Sequence, residues 1–449
     1  MSGWALGLYS ALMTCSEPLL RRKLARRGRQ EPGYLEAVGE RFGRYSQPPE
    51  AASEMVWVHA VSLGETRTAA LLLKSWRTRH PALRLLLTHG TATGREEGRA
   101  LLEAIGRPGD VQVWQPWDSP AAVKRFFSHF KPRLGLLMET EIWPNLVAQA
   151  KAQGMPLVLV NGRLSAKSLA QARRLSPLSL PAYGGLAAVY AQTELDAERF
   201  RKLGAPVAGV FGNLKFDATP NAAQHATGRA WRQALTRPVL MFASSRDGEE
   251  AKFFKQISTF AQVHRAQPAI DSIANGFDAS FIALVVPRHP QRFDEVAMLA
   301  AQQGLSVSRR SRWAGSPADD KGAMNADVWL GDSLGEMTLY YAAADVALLG
   351  GSFVPLGGQN LIEAAACGCP VVMGPHTFNF TEAAELAEAG GAAFRTSGMV
   401  DAVQVALDLM NDPPALAKAV AGGLAFAEQN RGATERTVEA LQAYLQPGW

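Results

Sequence analysis

The sequence predicts an α/β protein built from two doubly wound parallel sheets, and three observations support this fold class. The chain has 449 residues, too many for one ordinary domain of about 100–200 residues. Apolar residues make up 47% of it and charged residues 19%, as in a globular body. Short, continuously apolar runs alternate with helical patterns, which is typical of parallel strands covered by helices on both faces.

The first half is defined by its apolar runs, which predict six strands. These strands are expected at residues 56–59, 83–88, 133–137, 156–160, 187–191 and 207–210, with helical patterns at 66–79, 121–130 and 196–203. Residues 219–237 show no strand pattern and predict a polar connector. We therefore expect a seam between two domains near residue 220.

The second half repeats the alternation. Strands are expected at 239–243, 281–286, 328–330, 345–349 and 371–373, helices at 249–266, 335–343, 360–366 and 399–408, and a polar loop at 271–280. A final amphipathic helix at 433–444 has room to pack back across the seam. The predicted division is an arm at 1–30, a first domain at 31–220, a second at 221–430 and a returning helix at 431–449. Such sheets bind ligands at the carboxyl ends of their strands, which predicts a cleft between two Rossmann-like domains.

The N-terminal arm predicts an attachment to a membrane surface. Residues 1–16 carry no charge and place Trp4, Leu8, Leu12 and Cys15 on one helical stripe, whereas residues 18–30 contain six basic residues and no acid. A spanning helix needs about 20 apolar residues, and a secretory signal has its positive charge before the apolar stretch. This order predicts a shallow anchor with a basic collar that attracts anionic lipid on the cytoplasmic side. A plain helix docked on the body is the alternative.

Charge and metal-ligand spacing exclude several classes of protein. The net charge of +5 comes from the arm, and basic and acidic residues nearly balance elsewhere, so no nucleic-acid partner is expected. The three cysteines and eight histidines have neither disulfide-scaffold nor metal-site spacing. Because Asp-x-Asp and Walker A sequences are also absent, we expect no metal and no other cofactor.

A first candidate catalytic residue is Glu65, in the segment His-Ala-Val-Ser-Leu-Gly-Glu at 59–65. The spacing of Ser62 and Glu65 is that of a capping box, in which the glutamate only folds back onto the start of a helix. Alternatively, Glu65 projects from the carboxyl end of a strand and takes a proton from an attacking hydroxyl group. The sequence leaves both interpretations open.

Two further candidates follow predicted strands of the first half. Glu139 and Glu141 lie between an apolar run and a helix that starts near Pro144, so one could reach the cleft while the other caps the helix. Acids favoured by the helix dipole are the alternative. Lys215 lies near the seam, where it could stabilise negative charge or form an interdomain ion pair.

The second half carries candidates for binding a nucleotide. Arg288 and His289 stand between two prolines, a rigid cationic loop suited to phosphate, with a surface turn as the alternative. Two glycine pairs, Gly350-Gly351 and Gly357-Gly358, come before a helix expected to begin near residue 360, where free backbone N–H groups would bind an anion. Glu363, three residues after Asn360, would reach ribose hydroxyls.

Five long motifs resemble a known family. They are His-x-x-Ser-x-Gly-Glu at 59–65, Met-Glu-Thr-Glu-Ile-Trp-Pro-Asn at 138–145, Leu-Lys-Phe-Asp at 214–217, Pro-Arg-His-Pro at 287–290 and Met-Gly-Pro-His-Thr-Phe-Asn-Phe at 373–380. The sequence is similar over nearly its whole length to the 3-deoxy-D-manno-octulosonic acid (Kdo) transferases of Gram-negative bacteria. This resemblance implies the GT-B architecture and transfer of Kdo from CMP-Kdo to the tetraacyl disaccharide bisphosphate precursor of lipid A. It also implies a place in lipopolysaccharide biosynthesis, at the cytoplasmic face of the inner membrane.

The resemblance also implies roles for residues. Glu65 matches the family's proton acceptor, and Glu139 and Lys215 match residues that stabilise the transition state. The positions that match CMP-binding segments are Pro287, Arg288, Leu334, Gly335, Glu336, Met337, Asn360, Leu361, Ile362 and Glu363. The family usually has histidine where this chain has Gln359 and Arg246.

The expected activity is that of an inverting glycosyltransferase in which CMP leaves as the lipid hydroxyl attacks. Two alternatives stay open at this point. One is another nucleotide-sugar enzyme of GT-B fold, such as a lipid-disaccharide synthase or a sugar-nucleotide 2-epimerase. The other is a non-catalytic, membrane-tethered nucleotide-binding protein.

Overall fold

The computed structural model describes residues 3–47, 55–266 and 281–445, so the loop predicted at 271–280 lies outside the described residues. The chain divides into two compact units. The first is Met1–Asp217 together with Asn430–Trp449, and the second is Ala218–Gln429. Each unit has its own sheet and its own hydrophobic core.

The first unit is built on a seven-stranded parallel sheet. Its strands are β1 (Met55–His59), β2 (Arg84–His89), β3 (Val111–Trp114), β4 (Leu134–Met138), β5 (Leu157–Gly162), β6 (Ala188–Ala191) and β7 (Val207–Val210). Its helices up to residue 217 are α1 (Gly3–Cys15), α2 (Glu17–Gly28), α3 (Leu63–Arg79), α4 (Ala92–Ile105), α5 (Pro120–Phe130), α6 (Pro144–Ala152), α7 (Ala166–Arg174), α8 (Ser176–Tyr183) and α9 (Glu194–Arg201). The strand order is β3-β2-β1-β4-β5-β6-β7, so β1 and β4 are neighbours.

Helices cover both faces of this sheet, as the apolar strands require. On one face Trp57 packs against the rings of Phe126 and Phe127, which lie on α5. On the other face Val58 belongs to a cluster with Leu72 of α3. Each of these side chains is almost completely buried, which is the arrangement expected of a parallel sheet between two helical layers.

The second unit has a sheet of the same size. Its strands are β8 (Val239–Ser245), β9 (Ile282–Pro287), β10 (Val307–Arg309), β11 (Val328–Leu330), β12 (Val346–Leu349), β13 (Val371–Met373) and β14 (Ala393–Arg395). Its helices are α10 (Ala222–Ala234), α11 (Glu250–Ala266), α12 (Phe293–Gln302), α13 (Lys321–Met324), α14 (Met337–Ala343), α15 (Ile362–Ala366), α16 (Thr381–Ala389), α17 (Met399–Asn411) and α18 (Pro413–Gln429). The strand order is β10-β11-β9-β8-β12-β13-β14, again all parallel.

The last helix, α19 (Ala433–Leu441), belongs to the first unit. It packs against α3, and Val438 and Leu441 are completely buried in the first unit's core. The Asp217 carboxylate fixes its start by accepting hydrogen bonds from the N–H groups of Gly432 (2.6 Å) and Thr434 (2.5 Å). Short 3-10 turns complete the chain at Pro32–Leu35, Val38–Phe42, Leu214–Asp217, Pro290–Arg292, Arg310–Arg312, Pro317–Asp319 and Gln442–Tyr444.

The predicted fold class is confirmed, and the structure adds three strands and several helices to the predicted elements. The sequence patterns did not predict β3, β10 and β14, which have only three or four residues and are the outer strands of the two sheets. The segment predicted as a connector without strands contains α10, whose Trp231 is buried. Edge strands are only half covered, so their sequences lack the continuous apolar run that reveals the central strands.

The N-terminal arm forms α1 and α2. Among the described residues, none of the helices combines the length and the apolar character needed to cross a bilayer. Helix α1 packs against α6 and α8, and Ser10 Oγ donates a hydrogen bond to Asn145 Oδ1 (2.7 Å). Trp4, Leu8 and Leu12 point away from these contacts, with 68%, 65% and 65% of their surface exposed.

Candidate functional site

Glu65 lies in the first turn of α3, directly after the carboxyl end of β1. Its Oε2 accepts a hydrogen bond from the Val61 N–H (2.9 Å), and its Oε1 accepts one from Ser62 Oγ (3.1 Å). Ser62 in turn caps α3 by accepting from the Glu65 N–H (3.4 Å). The capping interpretation of this motif therefore describes the local structure correctly.

The same carboxyl group has the electrostatic properties of a general base. Burial raises the pKa of Glu65 to about 7, and the nearby negative charges of Glu139 and Glu141 add to the rise, whereas the hydrogen bonds from Val61 and Ser62 oppose it. A pKa close to the working pH is the value at which a base is most effective. Capping and proton transfer are thus compatible, because a carboxylate has lone pairs left after accepting two bonds.

Glu139 follows β4, the strand next to β1, and has a left-handed backbone with φ of 57°. Its Oε1 lies 3.0 Å from Lys215 Nζ, and both side chains are largely buried. Lys215 lies in the 3-10 turn after β7, where Asn161 Oδ1 accepts from the Leu214 N–H (3.0 Å) and holds the turn. This ion pair joins two predicted residues within the first unit.

Glu141 does not have the capping role expected of one of the two glutamates. Its Oε2 accepts from Trp143 Nε1 (3.0 Å), and burial raises its pKa. Helix α6 is capped by Asp118, whose carboxylate accepts from the N–H groups of Asn145 (2.9 Å) and Leu146 (2.8 Å). The expectation that Glu139 or Glu141 caps this helix is therefore wrong. No local sequence pattern identifies Asp118 as the cap, because it lies 27 residues before Asn145 in the chain.

In the second unit, the loops after β8 and β9 bring Arg246, Arg288 and Arg292 close to His289. The Arg288 N–H donates to the Ser245 carbonyl (3.0 Å), which joins the ends of these neighbouring strands. Burial lowers the pKa of His289, and the positive charges of Arg246, Arg288 and Arg292 lower it further, so the four groups lie near one another. Arg292 was not predicted from the sequence.

The glycine pairs do not provide the free N–H groups that the sequence suggested. The Gly350 N–H donates to the Ala243 carbonyl (2.9 Å), the Gly351 N–H to Glu249 Oε2 (2.8 Å) and the Gly358 N–H to the Gly351 carbonyl (2.8 Å). The expectation of a glycine anion site is thus wrong for these three groups. Helix α15 also begins at Ile362 and has only five residues, and Asn360 accepts from the Ile362 N–H (3.1 Å).

The remaining predicted donor residues lie on the loops that enter α14 and α15. Glu336 pairs with Arg310 (2.9 Å), and Leu334 is highly exposed. Thr338 Oγ1 donates to Glu363 Oε1 (3.1 Å), so these two segments contact each other. Since both loops follow the carboxyl ends of strands β11 and β12, they belong to the same edge of the sheet as Pro287 and Arg288.

The structure therefore forms two groups of candidate residues. Glu65, Glu139 and Lys215 are in the first unit, and all the predicted donor residues are in the second. Within the described residues, no cluster of three or more His, Cys, Asp or Glu side chains could hold a metal ion.

Two doubly wound parallel sheets, each with charged residues at the carboxyl ends of its strands, define a protein of the GT-B fold. The fold is similar to that of a glycosyltransferase from Rickettsia africae, with a TM-score of 0.56 at 10% identity, covering 88% of this chain and 100% of that one. The family model described as 3-deoxy-D-manno-octulosonic-acid transferase (kdotransferase) matches residues 36–218.

Full-length relatives agree with the family model. The 3-deoxy-D-manno-octulosonic acid transferase of Bordetella pertussis is 46% identical over 442 residues, covering 98% of this chain and 99% of the relative. That of Haemophilus influenzae is 30% identical over 447 residues and 98% of both chains. The chain belongs to the Kdo transferase family, a family of glycosyltransferases. This membership decides against the other nucleotide-sugar enzymes and against a non-catalytic binding protein.

Proposed function

We propose that this protein is an inverting glycosyltransferase that transfers Kdo from CMP-Kdo to the tetraacyl disaccharide bisphosphate precursor of lipid A. Family membership across 98% of the chain supports the Kdo donor and the lipopolysaccharide pathway. The observation that carries the chemistry is Glu65, a half-buried carboxylate with a pKa of about 7 in the first turn of the helix that follows a central strand.

In the proposed reaction Glu65 accepts the proton of the sugar hydroxyl of the lipid acceptor. The hydroxyl oxygen forms a bond to the anomeric carbon of Kdo as the bond from that carbon to the CMP phosphate oxygen breaks. Attack from the side opposite the leaving group inverts the configuration. Proton transfer to a positioned base of this kind contributes about 10²–10⁴-fold to a rate.

Glu139 and Lys215 support this step through charge. The Lys215 ammonium, 3.0 Å from the Glu139 carboxylate, supplies a fixed positive charge at the edge where Glu65 must become ionised. Fixed charges in a site that excludes water stabilise the charge that develops in the transition state more strongly than water does. We assign both residues to transition-state stabilisation.

The donor is assigned to the second unit. Arg246 and Arg288, which lie close to His289, supply positive charge suited to the phosphate of CMP. The segments that contain Glu336 and Glu363 are assigned to the rest of the nucleotide. Because these cationic side chains can balance the phosphate charge, we propose that the reaction needs no metal ion.

We propose that the protein works on the cytoplasmic face of the inner membrane. Trp4, Leu8 and Leu12 are exposed on α1. The basic side chains of α2 follow directly and are largely exposed. An exposed apolar stripe beside a basic segment is the arrangement of interfacial helices on anionic lipid.

The deciding experiment is mass spectrometry of the product formed from CMP-Kdo and the tetraacyl precursor by the purified protein. The expected product is heavier than the acceptor by one or more Kdo residues, with release of CMP, and its formation continues in excess EDTA. Failure to modify the acceptor, or transfer from a UDP-sugar instead, would refute the proposed function. Loss of activity in EDTA would refute only the metal independence.

A further inference from the structure

Glu249 is a completely buried carboxylate at the carboxyl edge of the second sheet, with 0% of its surface exposed. It lies in the loop that follows β8, immediately before α11. Its side chain accepts three backbone hydrogen bonds, from the N–H groups of Arg246 (3.0 Å), Gly351 (2.8 Å) and Phe353 (3.0 Å).

These three bonds join two loops that are far apart in the sequence. Arg246 belongs to the loop after β8, whereas Gly351 and Phe353 belong to the loop after β12, the neighbouring strand. Burying a polar group is costly unless it is hydrogen-bonded. Removal of the carboxylate would leave the three N–H groups without their partner, so the two loops depend on Glu249 for their mutual position.

The loops also contact each other closely. A Cβ atom on Gly350 would lie 2.1 Å from the Ser244 carbonyl oxygen, and Ser244 has a left-handed backbone with φ of 54°. A Cβ atom on Gly351 would lie 3.4 Å from Gln359 Nε2 and 3.7 Å from Arg246 Cγ. Arg246 and Gln359 therefore both lie close to Gly351.

Arg246 is one of the cationic groups around His289. The position of its backbone is set by the Glu249 bond, because the bond is made to the Arg246 N–H itself. The charge of the side chain does not take part in that bond and is available to a ligand.

We infer that Glu249 is a positioning residue for donor binding, which ties the Arg246 backbone to the loop at 350–353 and so holds the Arg246 side chain where it receives the phosphate of the nucleotide. This inference rests on the proposed function, since it takes the CMP-sugar as the ligand of the second unit. Glu249 itself does not touch the donor, because its carboxylate oxygens face the three backbone N–H groups.

The variant that tests this role is Glu249→Gln. The amide has nearly the same size, but its NH2 group can only donate, so one side of it must face a backbone N–H group. The matched control is Asp345→Asn. Asp345 lies at the opposite, amino-terminal edge of the same sheet, where it accepts from the Val239 N–H (2.8 Å) and pairs with Arg232 (2.7 Å).

The measurements are the KM for CMP-Kdo, the KM for the lipid acceptor, the Kd of CMP by calorimetry, and the melting temperature of each protein. We expect Glu249→Gln to raise the donor KM and the CMP Kd by about tenfold or more and to leave the acceptor KM within about twofold of wild type. Asp345→Asn should lower the melting temperature while the CMP Kd stays unchanged.

An unchanged donor KM and CMP Kd in Glu249→Gln, with a lowered melting temperature, would overturn the inference and leave Glu249 a purely structural residue. If Glu249→Gln does not fold, Glu249→Asp replaces it under the same criterion, since it keeps the charge but is one methylene shorter. A wild-type protein that makes no Kdo product would refute the proposed function instead, so the two failures are distinguishable.

Discussion

Lys215 Nζ lies 3.0 Å from Glu139 Oε1, and this ion pair stands beside the carboxyl group of Glu65. The pair joins the turn after β7 to the loop after β4, so the lysine balances the charge of Glu139, one of the two glutamates that raise the pKa of Glu65. Without the lysine, Glu65 would face unneutralised negative charge. The pKa of Glu65 is therefore coupled to Glu139 and Lys215, which lie 74 and 150 positions further along the chain.

Replacement of Glu65 by Gln tests its role as the base. We expect the rate of Kdo transfer to fall by about 100-fold or more, because an amide cannot accept the proton of the acceptor hydroxyl. The control is Asp196→Asn, which changes a cap of the same type: Thr193 Oγ1 donates to Asp196 (2.7 Å) at the start of α9. That variant should lose thermal stability and keep its transfer rate. If Glu65→Gln transfers Kdo at nearly the wild-type rate, Glu65 is not the base and serves only to cap the helix.

The pH dependence of transfer follows from the pKa of Glu65. The base acts in its deprotonated form, so with a pKa of about 7 the rate should fall about tenfold per pH unit below 7 and level off above it. Initial rates between pH 5 and 9 at saturating substrates test this. A rate that stays constant from pH 5 to 7 would contradict the assignment.

The same shift has a consequence for stability with the opposite sign. Folding raises the pKa of Glu65 from 4.5 to about 7, so between these values the folded chain holds a proton that the unfolded chain has released. Its contribution to stability is therefore fully present below pH 4.5 and is lost as the pH rises towards 7. The melting temperature of Glu65→Gln, relative to wild type, should accordingly increase across this interval. A constant difference would show that the pKa is not raised.

Replacement of Lys215 by Met tests the charge coupling. The Glu139 carboxylate then has lost this cation close to Glu65, so the acid limb of the pH–rate profile should move above pH 7. The limiting rate should fall by about tenfold to 100-fold, as expected for the loss of one stabilising charge. The double variant Lys215→Met, Glu139→Gln should bring the acid limb back towards wild type. An acid limb identical in all three proteins would exclude the coupling.

Asp118 should be a major stability residue of the first unit. Substitution by Ala removes the acceptor for the buried N–H groups of Asn145 and Leu146, so the free energy of unfolding should fall by about 2–4 kcal/mol. Urea denaturation measures the change. Ser165→Ala removes an exposed cap on α7 and should cost about 1 kcal/mol or less. Equal losses in the two variants would show that the Asp118 bonds carry no special weight.

The exposed face of α1 should bind membranes. The triple replacement Trp4→Ser, Leu8→Ser, Leu12→Ser should abolish co-sedimentation with vesicles containing anionic lipid and leave transfer to a detergent-dispersed acceptor unchanged. The control replaces three exposed apolar residues of the second unit, Met298, Val400 and Leu424, by Ser and should sediment like wild type. Equal binding by both variants would place the lipid contact elsewhere.

The sequence revealed the parts of this fold that depend on local pattern. Central strands such as β1 and β4 are fully buried apolar runs, and the Ser62–Glu65 spacing predicted the cap that α3 has. The edge strand β3 was missed because its sequence, Val-Gln-Val-Trp, is short and Gln112 interrupts the apolar run. Sequence patterns are therefore sufficient to predict an element when the residues of that element alone determine its conformation and burial.

Contacts between segments that are far apart in the sequence could not be predicted from local patterns. The cap of α6 is Asp118 rather than a neighbouring glutamate, and the N–H of Gly351 is taken by Glu249, 102 residues earlier in the chain. A glycine pair before a helix indicates flexible backbone near a ligand. It does not show whether a distant side chain accepts a hydrogen bond from the glycine N–H group. The carboxylate that organises this loop therefore became visible only with the tertiary structure.

The position of α19 determines the order in which this protein can assemble during synthesis. Val438 and Leu441 complete the core of the first unit, yet the ribosome makes them after the whole of the second unit. Domains usually fold one after another from the N-terminus as the chain emerges. Here the second unit, which is continuous in sequence, can complete its fold first. The first unit lacks the part of its core next to α3 until α19 has left the ribosome.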